Sequence, residues 1–236
     1  MKLSVIIPAF NEARCLPDTL AALQQAAAGM SSELIVVDNQ STDDTRAIAE
    51  RCGAIVASER IHNIARVRNT GAAKATGDLL VFVDPDTVVP PTLLQHIQNV
   101  MHRDACVGGA VAVAYTPIRR AWMRWYLKGW AFWGRVFNMK QGAAQFCRVD
   151  AFRDVGGYDE SIYVGEDIAF YWALARHARR TGRTLHFIEH PKVITSSRRF
   201  DGLNPWQVLV LTHPLVIWLN WRRASLWTSW YDTPVR

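Results

Sequence analysis

Three observations predict an α/β fold for this chain of 236 residues, built on an open, mainly parallel sheet flanked by helices. Half of the residues are apolar, which is enough to bury a sizeable core. Short runs rich in β-branched residues alternate with helical patterns through the first part of the chain, and this alternation is typical of a parallel sheet covered by helices. Polar residues directly follow three of these runs, as expected where strands end at a binding edge.

The first part of the chain is predicted to contain four strands and four helices in alternation. Pro17 and Pro91 suit the first turns of two of the helices. Ser41 or Thr42 is the expected N-cap of the second helix, and Gly53 follows its expected end. The predicted strands span residues 3–7, 33–37, 54–57 and 79–83, and the predicted helices span residues 17–28, 43–52, 65–75 and 91–102.

The polar residues at the strand ends predict a ligand site at one edge of the sheet. Asn11 and Glu12 follow the first predicted strand, Asp38 ends the second, and Asp84 and Asp86 follow the fourth. Asp and Asn also favour turns and caps for purely structural reasons, which explains any one of them taken alone. Open sheets bind ligands at the carboxyl ends of their strands, so the coincidence of three such ends favours a site.

The turn Asp84-Pro85-Asp86 is predicted to hold a divalent metal ion. The fixed φ of the proline gives a rigid turn that can direct both carboxylates at one point. Mg²⁺ or Mn²⁺ commonly binds through one or two carboxylates, and water and substrate phosphates take the remaining positions.

A second acidic pair, Glu166 and Asp167, is predicted to begin a helix that runs to about Arg180 and stops at Gly182. Acidic residues at this end of a helix are stabilised by the helix dipole whether or not they have another role. A carboxylate at a helix start that faces a cleft is also well placed to act as a general base. Both interpretations are open from the residues alone.

The sequence resembles the family 2 glycosyltransferases, which share the A-type glycosyltransferase fold. Five motifs carry the resemblance, and they occur in the family's order from residue 1 to about residue 200. The resemblance implies a nucleotide-binding sheet and an enzyme that transfers a sugar with inversion at the anomeric carbon. The motifs are residues 4–12 (SVIIPAFNE), residues 38–45 (DNQSTDDT), residues 66–71 and 75–77 (RVRNTG and ATG), residues 84–86 (DPD) and residues 166–167 (ED).

The resemblance also implies roles for residues on the donor side. Asp38 is implied to contact the base, usually uracil, and Arg68 is implied to lie near the nucleotide. A UDP-linked sugar is therefore the expected donor. The other residues implied in nucleotide binding are Pro8, Ala9, Asn11 and Glu12.

The remaining implied roles concern the diphosphate and the acceptor. Asp86, with Asp84 nearby, corresponds to the metal motif for Mg²⁺ or Mn²⁺, and Asp167 corresponds to the base that deprotonates the acceptor. Arg198 and Arg199 could pair bidentately with phosphate oxygens, although a solvated surface cluster explains the two arginines equally well. The late histidine ligand and the Gln-x-x-Arg-Trp signature of some relatives are not recognisable here.

The charge and the tryptophans indicate a membrane surface as a partner. The net charge is +6 and the pI about 9.4, and most of the tryptophans fall within residues 122–133 and 206–230. Residues 119–139 form a predicted amphipathic helix, which is typical of the membrane interface. Packing of the stripe on the core or on a partner subunit is the alternative. The predicted aromatic stripe is Trp122, Trp125, Tyr126, Trp130, Trp133 and Phe137, and Arg124, Lys128 and Arg135 are expected on the opposite side.

These patterns predict a catalytic domain over residues 1–200 and an apolar, tryptophan-rich segment over residues 201–236 that associates with a membrane or packs on the domain. The segment is marginal for a spanning helix, which needs about 20 predominantly apolar residues. The acceptor is then a glycan or a lipid-linked sugar. Nucleic acid is disfavoured, because these aromatic residues follow helical spacing rather than the spacing of a stacking surface.

The expected location is the cytoplasm, peripheral at the inner face of the cell membrane. The four cysteines show no metal or redox spacing, and the start of the chain reads as a strand rather than a signal peptide. Two alternatives to a glycosyltransferase stay open at this point, a nucleotidyltransferase and a non-catalytic protein that binds nucleotide sugars or acts as a membrane scaffold. A nucleotidyltransferase usually has a Gly-rich loop after the first strand, and this chain lacks it. A scaffold or binding protein needs neither Asp86 nor Asp167.

Overall fold

The structure, a computed structural model, describes residues 1–103, 105–198, 206, 208, 213–223 and 227. Strands and helices alternate through the first half, as the sequence predicts. The strands are β1 (Leu3–Ala9), β2 (Ser32–Asp38), β3 (Ile55–Ser58), β4 (Leu79–Val83), β5 (Thr87–Val88), β6 (Cys106–Thr116), β7 (Ala144–Arg148) and β8 (Thr184–Ser196). The helices are α1 (Leu16–Ala26), α2 (Thr45–Arg51), α3 (Ile64–Lys74), α4 (Leu93–Met101), α5 (Ala121–Val136), α6 (Val149–Asp154), α7 (Glu166–Arg180) and α8 (Pro214–Asn220).

One sheet of eight strands, in the order β3-β2-β1-β4-β7-β6-β8-β5, organises the described residues. Strand β1 pairs in parallel with both β2 and β4, and β2 pairs in parallel with β3. Every residue of β1 and β4 is buried, because helices cover both faces of this part of the sheet and form two separate apolar clusters with it. The predicted α/β fold is confirmed.

The second half of the sheet departs from the parallel pattern. Strand β7 is antiparallel to both of its neighbours, β4 and β6. Strand β6 pairs in parallel with the long strand β8, and the short strand β5 pairs antiparallel with β8 at the edge. The sequence analysis did not predict β5 to β8, which bring residues from late in the chain beside the end of β4.

The predicted helix ends are only partly correct. Gly53 has φ +74° just after α2, and Gly182 has φ +66° just after α7, so both glycines stop helices as expected. The expected N-cap of α2 at Ser41 or Thr42 is wrong. Asp44 is the N-cap and its side chain forms no capping hydrogen bond, because Ser41 and Thr42 instead bond to the loop after β1.

Two glycines allow close approaches on which the sheet depends. A Cβ atom at residue 71 would lie 2.3 Å from Cγ2 of Ile6, so Gly71 lets α3 lie directly on β1. A Cβ atom at residue 109 would lie 1.8 Å from the carbonyl oxygen of His186. Gly109 is therefore required for β6 to pair closely with β8.

Helix α5 is amphipathic, as predicted, but its packed face differs from the prediction. Met123 is buried and Trp122, Tyr126 and Trp130 are half-buried, so part of the predicted stripe packs on the protein. Lys128 lies over the ring of Trp125 at 4.9 Å rather than on the opposite side of the helix. This happens because the aromatic band is wide and its outer edge borders the basic residues. The large apolar residues that remain exposed are Trp125, Phe132, Trp133, Val136 and Phe137.

The last part of the chain is described only in pieces, so the predicted segment 201–236 lies largely outside the described residues. Helix α8 is held near the start of α7, because the main-chain N–H of Tyr163 donates to the carbonyl oxygen of Trp221 at 2.7 Å. Trp218 and Leu219 are exposed. Among the described residues, no helix is both long enough and apolar enough to cross a membrane.

Candidate active site

The carboxyl ends of β1, β2 and β4 meet at one edge of the sheet, as the sequence predicts. The main-chain N–H of Asn39 donates to the carbonyl oxygen of Ala9 at 2.8 Å, which joins the ends of β1 and β2. Pro8 and Ala9 are buried within β1, so they can contribute backbone and shape rather than polar side chains. Asp38 is only 6% exposed. The end of β1 therefore forms a fixed wall of this edge.

The loop after β1 is shaped by Asn11. This residue has φ +53°, in the left-handed region that asparagine tolerates better than most residues. Its N–H donates to Oγ of Ser41 at 3.0 Å, and its Oδ1 accepts the N–H of Thr42 at 2.8 Å. Oδ1 of Asp38 accepts the N–H of Ser41 at 3.1 Å. Asn11 and Asp38 thus order the two loops, and their predicted contacts with a nucleotide stay predictions.

Arg68 joins the Asp84-Pro85-Asp86 turn to the start of helix α7. Its Nη2 donates to Oδ1 of Asp84 at 2.9 Å, and its Nη1 donates to Oε1 of Glu166 at 2.5 Å. The side chain is 3% exposed and its guanidinium also lies 5.3 Å from the ring centroid of Tyr158. Because one rigid guanidinium bonds two carboxylates from distant parts of the chain, their spacing is fixed. The predicted nearness of Arg68 to a nucleotide stays a prediction.

A second arginine lies on the other side of the Asp84-Pro85-Asp86 turn. Arg198 donates a short hydrogen bond to Oε2 of Glu12 and its Nε lies 3.5 Å from Oδ2 of Asp86. Its side chain is 16% exposed, so the interpretation as a solvated surface charge is wrong for Arg198. Thr195 donates from its hydroxyl to Oδ1 of Asp86 at 3.1 Å. Arg199 lies outside the described residues.

Asp167 differs from its neighbour Glu166 in its partners. Among the described residues it forms no ion pair, and its carboxylate accepts N–H groups from Gly142 at 2.6 Å and from Ile168 at 2.8 Å. Burial raises the pKa of Asp167 to about 7, with the charge of Glu166 adding to the rise and Arg68 opposing it. A carboxylate with a pKa near neutrality has the protonation behaviour of a general base or acid.

The two carboxylates of the turn suit a divalent cation. Burial raises the pKa of Asp84, with Arg68 opposing the rise and Asp86 adding to it, so positive charge beside the pair is favourable. Oδ1 of Asp84 bonds Arg68, and the other oxygen bonds none of the described residues. No cluster of three or more ligand residues occurs among the described residues. Two hard oxygen ligands and open positions fit Mg²⁺ or Mn²⁺ that is completed by phosphate and water.

Two residues that the sequence analysis did not single out, Gln145 and Tyr115, lie beside these groups. Gln145 in β7 donates to the main-chain oxygen of Asp167 at 3.0 Å and accepts from the hydroxyl of Tyr158 at 3.1 Å. Burial is the largest cause that raises the pKa of Tyr115 in β6, and Tyr126 and the charges of Asp84 and Asp167 add to it, so the phenol is protonated. Gln145 could have been found from the sequence, because it is a polar residue within a short apolar run. No sequence pattern distinguishes Tyr115.

Comparison with known proteins gives a consistent result for the fold. A family model described as Glycosyl transferase family 2 matches residues 4–156. An undecaprenyl-phosphate 4-deoxy-4-formamido-L-arabinose transferase from Sodalis glossinidius is 32% identical over 121 residues, which are 47% of this chain and 36% of that protein. The chain therefore spans little more than a third of that relative's length.

Two solved structures show the same fold at low identity. The crystal structure of S. aureus TarS residues 1–349 in complex with UDP has a TM-score of 0.67 at 18% identity, over 85% of this chain and 62% of that chain. The crystal structure of Mycobacterium tuberculosis glucosyl-3-phosphoglycerate synthase with Mn²⁺, UDP and glucosyl-3-phosphoglycerate has a TM-score of 0.61 at 20% identity, over 85% of this chain and 74% of that chain.

Proposed function

This chain belongs to glycosyltransferase family 2, and we propose on that premise that it transfers a sugar from a nucleotide-sugar donor to an acceptor hydroxyl with inversion. The observation that carries the proposal is the bridge made by Arg68. It holds the carboxylate of Asp84 close to the helix start that bears Asp167. An enzyme that displaces a diphosphate needs charge stabilisation on one side of the sugar and a base on the other.

The donor that we propose is linked to UDP. Two structural relatives contain UDP in their crystals, and Asp38 ends β2 at the same edge of the sheet. One oxygen of the buried Asp38 carboxylate holds the loop at Ser41, which leaves the other able to accept the imide N–H of a uracil. The backbone of residues 8–12 would line the nucleotide.

The diphosphate would bind between the Asp84-Pro85-Asp86 turn and Arg198. A divalent cation held by Asp86 and Asp84 would neutralise negative charge that develops on the leaving diphosphate. Arg198 already lies between Glu12 and Asp86, so its guanidinium is oriented before any ligand arrives. We propose that it donates to phosphate oxygens when the donor binds, and that Arg199 acts beside it.

The proton transfer would be the task of Asp167. An acceptor hydroxyl that approaches the anomeric carbon from the face opposite the diphosphate loses its proton to this carboxylate as the new bond forms. The hydrogen bond from the N–H of Gly142 and the contact of Gln145 with the main chain hold the carboxylate in place. Glu166 is paired with Arg68, so it is a poorer acceptor for the proton.

The acceptor that we propose is a glycan, with a lipid-linked sugar favoured by helix α5. The exposed apolar residues Trp125, Phe132 and Trp133 border the basic residues Arg124 and Lys128. This arrangement complements an anionic lipid surface, because the apolar groups can enter the interface while the cations contact headgroups. Attachment of the protein beside its substrate would raise the effective concentration of a lipid-linked acceptor.

A donor screen tests the proposed function directly. Nucleotide sugars with Mn²⁺ or Mg²⁺ should raise the melting temperature of the protein, since a ligand that binds only the folded state stabilises it. UDP-linked sugars should give the largest shift, and chelation of the metal should reduce it. Release of UDP during incubation with the best donor and a membrane extract then reports transfer. The absence of a shift with every donor would contradict the proposal.

A further inference from the structure

A cavity of about 600 Å³ lies between α3, the loop after α6, helix α7 and the segment at Trp221. This volume is within the range of small-molecule sites, about 300–1,000 Å³. None of the residues that we propose for the donor, the metal or the base lines the cavity. The cavity shares Tyr158 with the surroundings of Arg68, but the proposed transfer reaction does not account for it.

Helix α7, which bears the proposed base Asp167, also forms part of the cavity wall. Helix α7 begins at Glu166, and its residues Ala173 and Arg176 line the cavity. The loop that precedes the helix also anchors the opposite wall, because the N–H of Tyr163 donates to the carbonyl oxygen of Trp221. A molecule in the cavity would thus contact the elements that position Asp167.

Two tryptophan residues form part of the wall. Trp172 and Trp221 both line the cavity. The ring of Trp172 is fixed, because its Nε1–H is shared between the carbonyl oxygens of Phe137 and Asn138, at 3.1 Å each. A fixed indole offers a flat apolar surface at low entropic cost. Such a surface suits a ligand with a flat apolar face, as a pyranose ring has along its axial C–H bonds.

The ionisable groups of the lining cancel in charge. Glu160 bonds Arg66 and Asn69, and Asp159 bonds Arg222 at 3.0 Å. With Arg176, the lining holds two carboxylates and two guanidiniums. A carboxylate accepts up to about four hydrogen bonds and a guanidinium donates five. The lining therefore suits a neutral molecule with many hydroxyl groups better than a nucleotide or an anionic headgroup.

We propose that this cavity binds a neutral pyranose unit, so that the protein has a second saccharide site beside the transfer site. That the bound unit belongs to the acceptor glycan rests on the proposed function. Binding of the saccharide itself does not, because it depends only on the indoles, carboxylates and guanidiniums of the cavity. A sugar held here would keep a longer acceptor in place while its terminal hydroxyl reaches Asp167.

Fluorine NMR of the full chain labelled with 5-fluorotryptophan tests the proposal. The probes are the methyl glycosides of glucose, galactose, mannose and N-acetylglucosamine, each titrated to its solubility limit. Tryptophan-to-phenylalanine variants assign the signals. We expect at least one glycoside to shift the signals of Trp172 and Trp221 saturably, while Trp218, which is 56% exposed outside the cavity, stays unchanged. No saturable shift with any of the four would overturn the proposal.

Matched variants check that the shift comes from the cavity. Arg176→Ala should weaken glycoside binding by about tenfold or more, the effect of losing one hydrogen-bonding group. Arg180→Ala, an exposed position of the same helix outside the cavity, should leave it unchanged. Equal affinities in the two variants would contradict the assignment. Circular dichroism of both variants confirms that each is folded.

A nucleotide titration separates this proposal from the proposed function. UDP with Mn²⁺ should leave the Trp172 and Trp221 signals in place and should not displace the glycoside. Displacement would mean that the cavity belongs to the donor site, and it would overturn the second site. If UDP fails to bind while the glycoside still does, the donor assignment fails and the cavity stands.

Discussion

The main-chain N–H of Gly142 donates a hydrogen bond of 2.6 Å to Oδ2 of Asp167. A Cβ atom at residue 142 would lie 2.6 Å from Cβ of Asp167, so a larger residue has to displace the carboxylate. We expect Gly142→Ala to lower transfer by about 10²-fold, because a base moved by about 1 Å loses its alignment. Nucleotide binding should be kept. Gly129→Ala is the control, since an added Cβ there meets nothing within 4 Å; equal losses would contradict the role of Gly142.

Loss of charge at Asp167 should mainly affect transfer, whereas loss of charge at Glu166 should mainly affect stability. Asp167→Asn removes the proton acceptor, so transfer should fall by about 10²–10⁴-fold while the donor still binds. Glu166→Gln leaves the buried Arg68 with only Asp84, so it should lower the free energy of unfolding by about 3 kcal/mol. Kinetics and denaturant unfolding of both variants measure this contrast. Near-parental transfer by Asp167→Asn would assign the base elsewhere.

The raised pKa of Asp167 gives a pH dependence with a definite sign. The group has an ordinary value of 3.8 and a folded value of about 7, so the folded state holds the proton more tightly. Transfer should rise with pH along an acidic limb whose apparent pKa is at or below about 7, since a bound cation lowers it.

The same shift makes ionised Asp167 destabilising. Ionisation of Asp167 lowers the free energy of unfolding by an amount that grows as pH rises from about 4 to about 7. Asp167→Asn should therefore gain melting temperature relative to the parent across this window, and the gain should disappear at the acidic end. A difference that is independent of pH would show that Asp167 is not the group that titrates.

Asp86→Ala should remove the metal dependence of UDP binding, because the metal ion that neutralises the diphosphate then loses one of its protein ligands. Isothermal titration of UDP with and without Mn²⁺ measures the effect. Asp44→Ala is the control, since Asp44 is exposed at the start of α2 and forms no capping hydrogen bond. Metal-dependent binding that survives in Asp86→Ala would contradict the metal assignment.

Vesicle sedimentation across a salt series tests the surface of α5. Serine at Trp125, Phe132 and Trp133 should weaken binding to anionic vesicles at every ionic strength, because it removes exposed apolar contacts. Trp130 is half-buried, so it is left unchanged in this variant.

The basic residues of α5 should behave differently in the same experiment. Glutamine at Arg124, Lys128 and Arg135 should weaken binding chiefly at low salt, where screening is least. If the parent protein does not sediment with vesicles, or if the serine variant changes oligomeric state instead, the exposed band is a protein interface.

The sequence predicted the elements whose signals are local. Strands β1, β2 and β4 were found because each is a short run with a buried apolar face. Helix α7 was found because an acidic start and a terminal glycine bound its periodic pattern. The polar residues at the strand ends were found because Asp and Asn follow those runs directly.

The features that the sequence did not predict depend on distant partners. Arg68 bonds Asp84 across 16 residues but Glu166 across 98 residues, and nothing near Arg68 in the chain signals the second partner. Strand β7 is short, and its neighbours in the sheet are set by tertiary pairing. The packed side of α5 was missed because the spacing defines a band but does not show which edge of it contacts the protein.

The position of β7 has a consequence for how the protein is synthesised. Strand β4 is buried on both faces, and one of its edges pairs only with β7. While the ribosome is still making the chain between β4 and Ala144, this edge of consecutive apolar residues has no partner. Unpaired apolar edges recruit other chains. Nascent chains and truncations that end before β7 should therefore depend on chaperones, and expression should recover once Ala144–Arg148 are included.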